Sequence, residues 1–133
     1  MKIKEITAMR IIDSRGIPTI EATVTAENGI SGTASVPSGA STGSYEALEL
    51  RDRGKTFNGQ DVTKAIENIL NVIAPSLIGK GVFLQKKIDD TIINLNKDKN
   101  KKELGANATL AVSLAAARCG ANVLSIPLFR YIG

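Results

Sequence analysis

The 133-residue sequence contains no histidine and a single cysteine, Cys119. Without histidine there is no Ser-His or Cys-His catalytic pair, and nearly all zinc sites are excluded. A lone cysteine also excludes an internal disulfide framework. Because Cys119 lies in an alanine-rich helical pattern, it is interpreted as a small buried side chain. Any catalysis in which this chain takes part must therefore do without the commonest general base.

Aromatic side chains are also few, with three phenylalanines, two tyrosines and no tryptophan. The net charge of +4 and a pI near 9.3 raise the question of nucleic-acid binding. However, the lysines are concentrated in the run 97–102, which has no aromatic residue on which bases could stack. We interpret that run as a solvated loop between helices and expect no nucleic-acid partner.

Long apolar runs are missing as well, and the first five residues, Met1–Glu5, are too charged to open a signal peptide. We therefore expect no membrane partner and a cytoplasmic location. The length is that of one domain, which is large enough to fold without stabilising disulfides or metals.

The first part of the chain has the period-2 alternation of half-buried strands. Apolar and polar residues alternate from Thr19 to Thr25 and from Ile30 to Val36, and Asn28-Gly29 between them is typical of a hairpin. The segment Ile3–Ile12 is apolar enough for a further strand, although its alternation is imperfect. These patterns predict a three-stranded antiparallel meander.

The remainder has helical periodicity. Helices are predicted from Val62 to a stop at Pro75, from Leu84 to Leu95, and from about Asn107 to Cys119 with Gly120 as its stop. A last short helix is predicted to start at Ser125-Ile126-Pro127, with Ser125 as its cap. Strands followed by a helical layer give an α+β fold.

The junction between strands and helices is occupied by a run with almost no apolar surface, Ser38, Gly39, Ala40, Ser41, Thr42 and Gly43. A glycine-rich junction of this kind can expose backbone N–H groups to an anion. The spacing does not fit a P-loop, and antiparallel strands do not fit a dinucleotide fingerprint. From the residues alone, a flexible solvent loop is slightly favoured over a loop that contacts an anion or a metal.

Four motifs resemble those of the enolase family, and together they extend over essentially the whole chain. In chain order they are DSRGIPTIE at 13–21, VPSGASTG at 36–43 continuing as EALELRD at 46–52, LGANA at 104–108 with VSLA at 112–115, and IPLFRY at 126–131. The resemblance implies an enolase N-terminal domain over residues 1–133, with the catalytic barrel absent from this chain.

The resemblance implies that the parent enzyme interconverts 2-phosphoglycerate and phosphoenolpyruvate with Mg²⁺. Its SGASTG segment is similar to the family's mobile catalytic lid, in which Ser41 would ligate Mg²⁺ through its hydroxyl and carbonyl oxygens. Gly39, Ala40 and Ser41 would lie against the substrate. The base, the acid and the metal carboxylates belong to the barrel, so this chain alone is expected to be inactive.

The family forms homodimers, in which an arginine of the first strand and a glutamate matching Glu21 help to pair subunits. Here Met9 stands at the arginine position and Arg10 follows it. We therefore expect the isolated domain to be monomeric or weakly associating. The alternative functions are a standalone, non-catalytic binding or assembly module with the same fold, and a basic nucleic-acid binder.

Overall fold

The computed structural model describes residues 1–36, 62–97 and 104–132. Its three strands are β1 (Ile3–Ile12), β2 (Pro18–Ala26) and β3 (Ser31–Ser35). They form an antiparallel sheet in the order β1-β2-β3. The predicted meander is confirmed.

The imperfect alternation of β1 has a local cause. The register between β1 and β2 shifts between Ile3 and Glu5, so that Lys4 is an extra residue in the strand. Both Ile3 and Ile6 are consequently buried although they are three positions apart. The bulge thus keeps Ile3 and Ile6 on the same face.

The helices are α1 (Thr63–Asn68), a π-helical segment (Ile69–Ile73), α2 (Ala74–Leu77), α3 (Gln85–Lys97), α4 (Ala106–Val123) and α5 (Leu128–Ile132). Among the described residues, α4 lies against β2 and β3, whereas the run from α1 to α2 lies against β1. The apolar residues that face one another across these layers form one buried core. The α+β arrangement is confirmed.

The prediction that Pro75 ends the first helix is wrong. The helical run continues through Pro75 to Leu77, and the five residues before α2 form π-helical turns. A proline inside an α-helix lacks an N–H donor and clashes with the carbonyl four residues earlier. Because a π turn widens the helix and changes the bonding pattern, it accommodates the proline here.

Two further expectations are corrected. Helix α4 does not stop at Gly120 but continues to Val123, and the Tyr131 side chain fills the space beside Gly120. The glycine therefore serves close packing rather than termination. Ser125 does not cap α5, which begins only at Leu128, and its backbone has a φ of 58°. In the described parts of the chain, none of the helices has the length and hydropathy that crossing a bilayer requires.

Candidate functional site

The site predicted from the sequence, Ser38–Gly43 with Ser41 as the metal ligand, lies outside the described residues. The structure does describe the two residues that flank the segment 37–61, Val36 after β3 and Val62 before α1. Both side chains are buried in the same apolar core. The predicted site is therefore flanked in sequence by two valines that are buried in the same core.

Val36 is held through its backbone as well as its side chain. Its N–H donates to the carbonyl of Ile20 at 3.3 Å. Its carbonyl accepts a hydrogen bond from the buried hydroxyl of Thr19. A buried hydroxyl and a buried carbonyl each need a partner, and each supplies the other. This pair fixes the chain immediately before the predicted site.

Thr19 is a positioning residue that the sequence analysis did not identify. In the alternation of β2 it falls on the same side as Glu21 and Thr23, which are only partly buried, so its position in the pattern does not indicate burial. The structure therefore links two of the motifs, because DSRGIPTIE supplies Thr19 and VPSGASTG supplies Val36.

The turn between β1 and β2 is organised by Asp13. Its Oδ1 accepts the N–H of Arg15 at 2.8 Å and that of Ile17 at 2.9 Å. The Asp13 N–H donates to the Ile17 carbonyl at 2.9 Å, and Gly16 has a φ of 79°, which favours glycine. The turn uses the main chain of Ile17, so its geometry does not depend on the side chain at this position.

The LGANA motif also has a local structural role. Gly105, with a φ of 96°, precedes α4 at its N-cap position, and its carbonyl accepts the N–H of Thr109 at 3.0 Å. The carbonyl of Leu104 accepts a hydrogen bond from the amide of Asn68 at 3.2 Å. The motif therefore joins the start of α4 to the end of α1, the helix that follows the predicted site.

The arginine that is displaced by one position lies on the other side of the sheet. Met9 is paired with Glu21, whereas Arg10 is paired with the fully buried Ile20. Because successive side chains of a strand point to opposite faces, Arg10 projects on the face opposite to Glu21. An arginine at position 9 would share a face of the sheet with Glu21, whereas Arg10 does not.

The remaining ionisable groups of interest lie at the α4–α5 contact. Burial raises the pKa of the Cys119 thiol, and hydrogen bonds with the backbone of Ala26 and Gly32 only partly oppose this. Burial raises the pKa of Tyr131 too, and Cys119 adds to the rise. Raised pKa values keep both groups neutral near pH 7, which suits packing rather than nucleophilic chemistry. Within ranges 1–36, 62–97 and 104–132, no cluster of three or more acidic or cysteine residues could hold a metal.

The comparisons with known proteins agree with the resemblance. A family model for the N-terminal domain of enolase matches residues 3–132. An enolase from Campylobacter lari is 52% identical over 131 residues, which is 98% of this chain and 32% of that protein. An enolase from Anaplasma phagocytophilum is 53% identical over 133 residues, or 99% of this chain and 31% of that protein. The chain thus spans about a third of the length of these relatives.

Proposed function

Because the chain belongs to the enolase N-terminal domain family, we propose that it acts as the N-terminal domain of a phosphopyruvate hydratase. That enzyme would interconvert 2-phosphoglycerate and phosphoenolpyruvate in glycolysis and gluconeogenesis. The proposal is carried by the family match over residues 3–132 together with 52% and 53% identity to two enolases. The activity would require the additional length that those relatives possess.

We propose that the segment SGASTG contributes Ser41 to a Mg²⁺ site and places Gly39 and Ala40 against the substrate. The donor set fits the metal, because Mg²⁺ prefers oxygen ligands and Ser41 offers a hydroxyl and a carbonyl oxygen. The small residues at 39 and 40 leave room for a close approach of the main chain. When bound, Mg²⁺ would neutralise charge that develops on the substrate carboxylate.

The flanks of this segment support the proposal. Val36 and Val62 hold its ends in the core, and the Thr19 hydroxyl fixes the Val36 carbonyl. The core therefore anchors both ends of the segment. Closing it over a substrate would exclude water and strengthen electrostatic interactions inside the site.

The other partner in this proposal is the remainder of an enolase chain. Helix α5 exposes Phe129 and Ile132, whose side chains are 77% and 65% accessible, and Leu124 just before it is 50% accessible. Tyr131 faces inwards against Gly120 and donates to the Val82 carbonyl at 3.5 Å. Large apolar side chains that are this exposed on one short helix and just before it are typical of a contact surface. We propose that this surface meets the catalytic part of the enzyme.

The homodimer of the family would depend on other contacts here, because Arg10 and Glu21 lie on opposite faces of the sheet. The isolated domain is proposed to be monomeric or weakly associating. The cytoplasmic location expected from the sequence stays a prediction.

The test measures phosphoenolpyruvate absorbance for a full-length enzyme that contains this domain, for its Ser41→Ala variant and for this chain alone. We expect Ser41→Ala to lower kcat by about 10²-fold, as does the loss of one preorganised contact to developing charge. Weaker Mg²⁺ binding by calorimetry would accompany it. The chain alone should show no turnover.

Ser76→Ala is the matched control. Among the described residues, the Ser76 hydroxyl donates to the Val72 carbonyl, four residues earlier in the same helical run, at 3.1 Å. Ser76→Ala should therefore leave both the rate and the Mg²⁺ affinity of the enzyme unchanged. A Ser41→Ala enzyme with full rate and affinity would refute the role of Ser41, and an inactive full-length parent would refute the enzymatic proposal.

A further inference from the structure

The outer edge of the sheet at β3 has a defined set of outward-pointing backbone groups. Ala26 donates to the Ile30 carbonyl at 2.8 Å and Val36 donates to the Ile20 carbonyl at 3.3 Å, so these are hydrogen-bonded pairs of the ladder. Because such pairs alternate in antiparallel sheets, Ser31 and Thr33 belong to the other pairs. Their N–H and C=O groups therefore point away from β2, towards the edge on which no further strand lies among the described residues.

Two side chains of α4 bind these outward carbonyls. Arg118 Nη1 donates to the Thr33 carbonyl at 3.2 Å. Asn122 Nδ2 donates to the Ser31 carbonyl at 2.8 Å. The distance between the two donors along α4 matches the distance between the two acceptors along β3. Arg118 and Asn122 are four residues apart, about 6 Å along a helix, and Ser31 and Thr33 are two residues apart, about 6.8 Å along a strand.

Gly32 makes this arrangement geometrically feasible. A Cβ at this position would overlap the Cys119 nitrogen and lie 2.6 Å from the carbonyl carbon of Arg118 and 2.7 Å from the Ala115 oxygen. The backbone of α4 therefore passes directly over β3 between the two bound carbonyls. At this distance, side chains on the adjacent side of the helix reach the strand edge.

The two edges of the sheet differ in how they are protected against pairing. β1 carries charged residues of its own, and at its start the Ile3 N–H donates to the Lys80 carbonyl at 2.8 Å. β3 has the sequence SGTAS, with neither a charged residue nor a proline. Free edges without such features are templates for pairing with another chain. In the part of the chain that the structure describes, α4 is the element placed to protect β3.

We propose that Arg118 and Asn122 form an edge clamp that prevents β3 from pairing with β3 of a second copy of this chain. All four residues of the two contacts are exposed, so water could satisfy the carbonyls equally well. The clamp is therefore not needed to satisfy buried groups. Its effect is to occupy two successive acceptors that an incoming strand would need, and to place a cation at the edge.

The experiment is sedimentation velocity of the 133-residue chain over a concentration series. The double variant Arg118→Ala/Asn122→Ala should self-associate at a concentration at least tenfold lower than the parent chain. The control is Arg130→Ala/Asn94→Ala, which removes the same side-chain types and the same charge from exposed positions on α5 and α3. It should sediment as the parent does.

Adding Thr33→Pro to the double variant tests whether the association uses the edge. The Thr33 N–H points away from β2, so proline removes no ladder bond but blocks a new strand. It should restore the sedimentation of the parent. The single variants Arg118→Ala and Asn122→Ala each leave one contact and should give smaller increases in self-association. They keep the test decisive if far-UV circular dichroism shows that the double variant is unfolded. Unchanged association in all of these variants, or association that survives Thr33→Pro, would overturn the proposal.

Discussion

Gly32→Ala tests the closest contact between the sheet and α4. The added Cβ would lie 2.6 Å from the Arg118 carbonyl carbon, whereas ordinary contacts begin at 3.4 Å. Helix and strand must therefore separate by about 0.8 Å or more at this point, and the atoms in the way are backbone atoms that no rotamer change can move. Separation would loosen α4 from β2 and β3, where its buried alanines pack.

Two effects of opposite sign decide the size of the change. Replacing glycine by alanine in a strand is worth about 0.5–1 kcal/mol through lower backbone entropy of the unfolded chain. Overpacking in a close-packed core costs about 1–3 kcal/mol, and a clash with backbone belongs at the upper end. We therefore expect the free energy of unfolding to fall by about 2 kcal/mol.

Urea unfolding followed by circular dichroism measures this change. With a slope of about 1.5 kcal/mol per M, the midpoint should fall by about 1.3 M. Gly81→Ala is the matched control, because a Cβ there meets only the flexible side chain of Leu84, at 3.1 Å. If Gly32→Ala unfolds at the same midpoint as the control, the close crossing of α4 over β3 is refuted.

Three further changes probe the region around α5. Gly120→Ala and Tyr131→Ala should each lower the free energy of unfolding by about 1–3 kcal/mol, and the double variant by less than the sum. A Cβ at 120 would lie 2.6 Å from Tyr131 Cζ, and truncating the ring removes that clash. Additive shifts of the urea midpoint would contradict this. Burial raises the pKa of Cys119, so its contribution to stability is complete below the unfolded pKa of about 8.5 and is lost as pH rises through the folded pKa. The urea midpoint should therefore fall between pH 7 and pH 9.5 by more in the parent than in Cys119→Ala, and an equal fall would refute the assignment. Phe129→Asp should leave the free energy of unfolding of this chain within about 0.5 kcal/mol of the parent value, because Phe129 is exposed. In a full-length enzyme it should lower the melting temperature, and an unchanged melting temperature there would argue against a contact at Phe129.

Strands were more predictable than helix ends in this chain. The alternation in β2 and β3 reflects one covered face, and even the irregular β1 fits once Lys4 is recognised as a bulge. Helix ends depend on contacts that are distant in sequence. Gly120 is typical of a helix end, but α4 continues through it. Tyr131, from the next element, fills the space where a side chain at 120 would lie.

Pro75 and Ser125 illustrate the same limit in two forms. A proline normally ends a helix, and only the change to π-helical turns in the preceding five residues allows the run to reach Leu77. Ser125 precedes Ile126-Pro127 as a cap would, yet α5 starts later, at Leu128. Neither outcome is contained in local propensity, since each depends on how the chain packs around it.

The candidate site shows where composition stops being informative. A run of small polar residues has the same composition whether it is a solvent loop or a lid, so the functional interpretation came from four motifs in order and not from SGASTG itself. Two of those motifs meet in the structure at one hydrogen bond, from the Thr19 hydroxyl to the Val36 carbonyl, across 17 positions of sequence. The turn organised by Asp13 sets the register that brings β2 to this point, and β2 in turn holds the last residue before the loop. The motif DSRGIPTIE can therefore be explained by what it positions: its residues need no contact with a substrate in order to determine where the segment that follows Val36 begins.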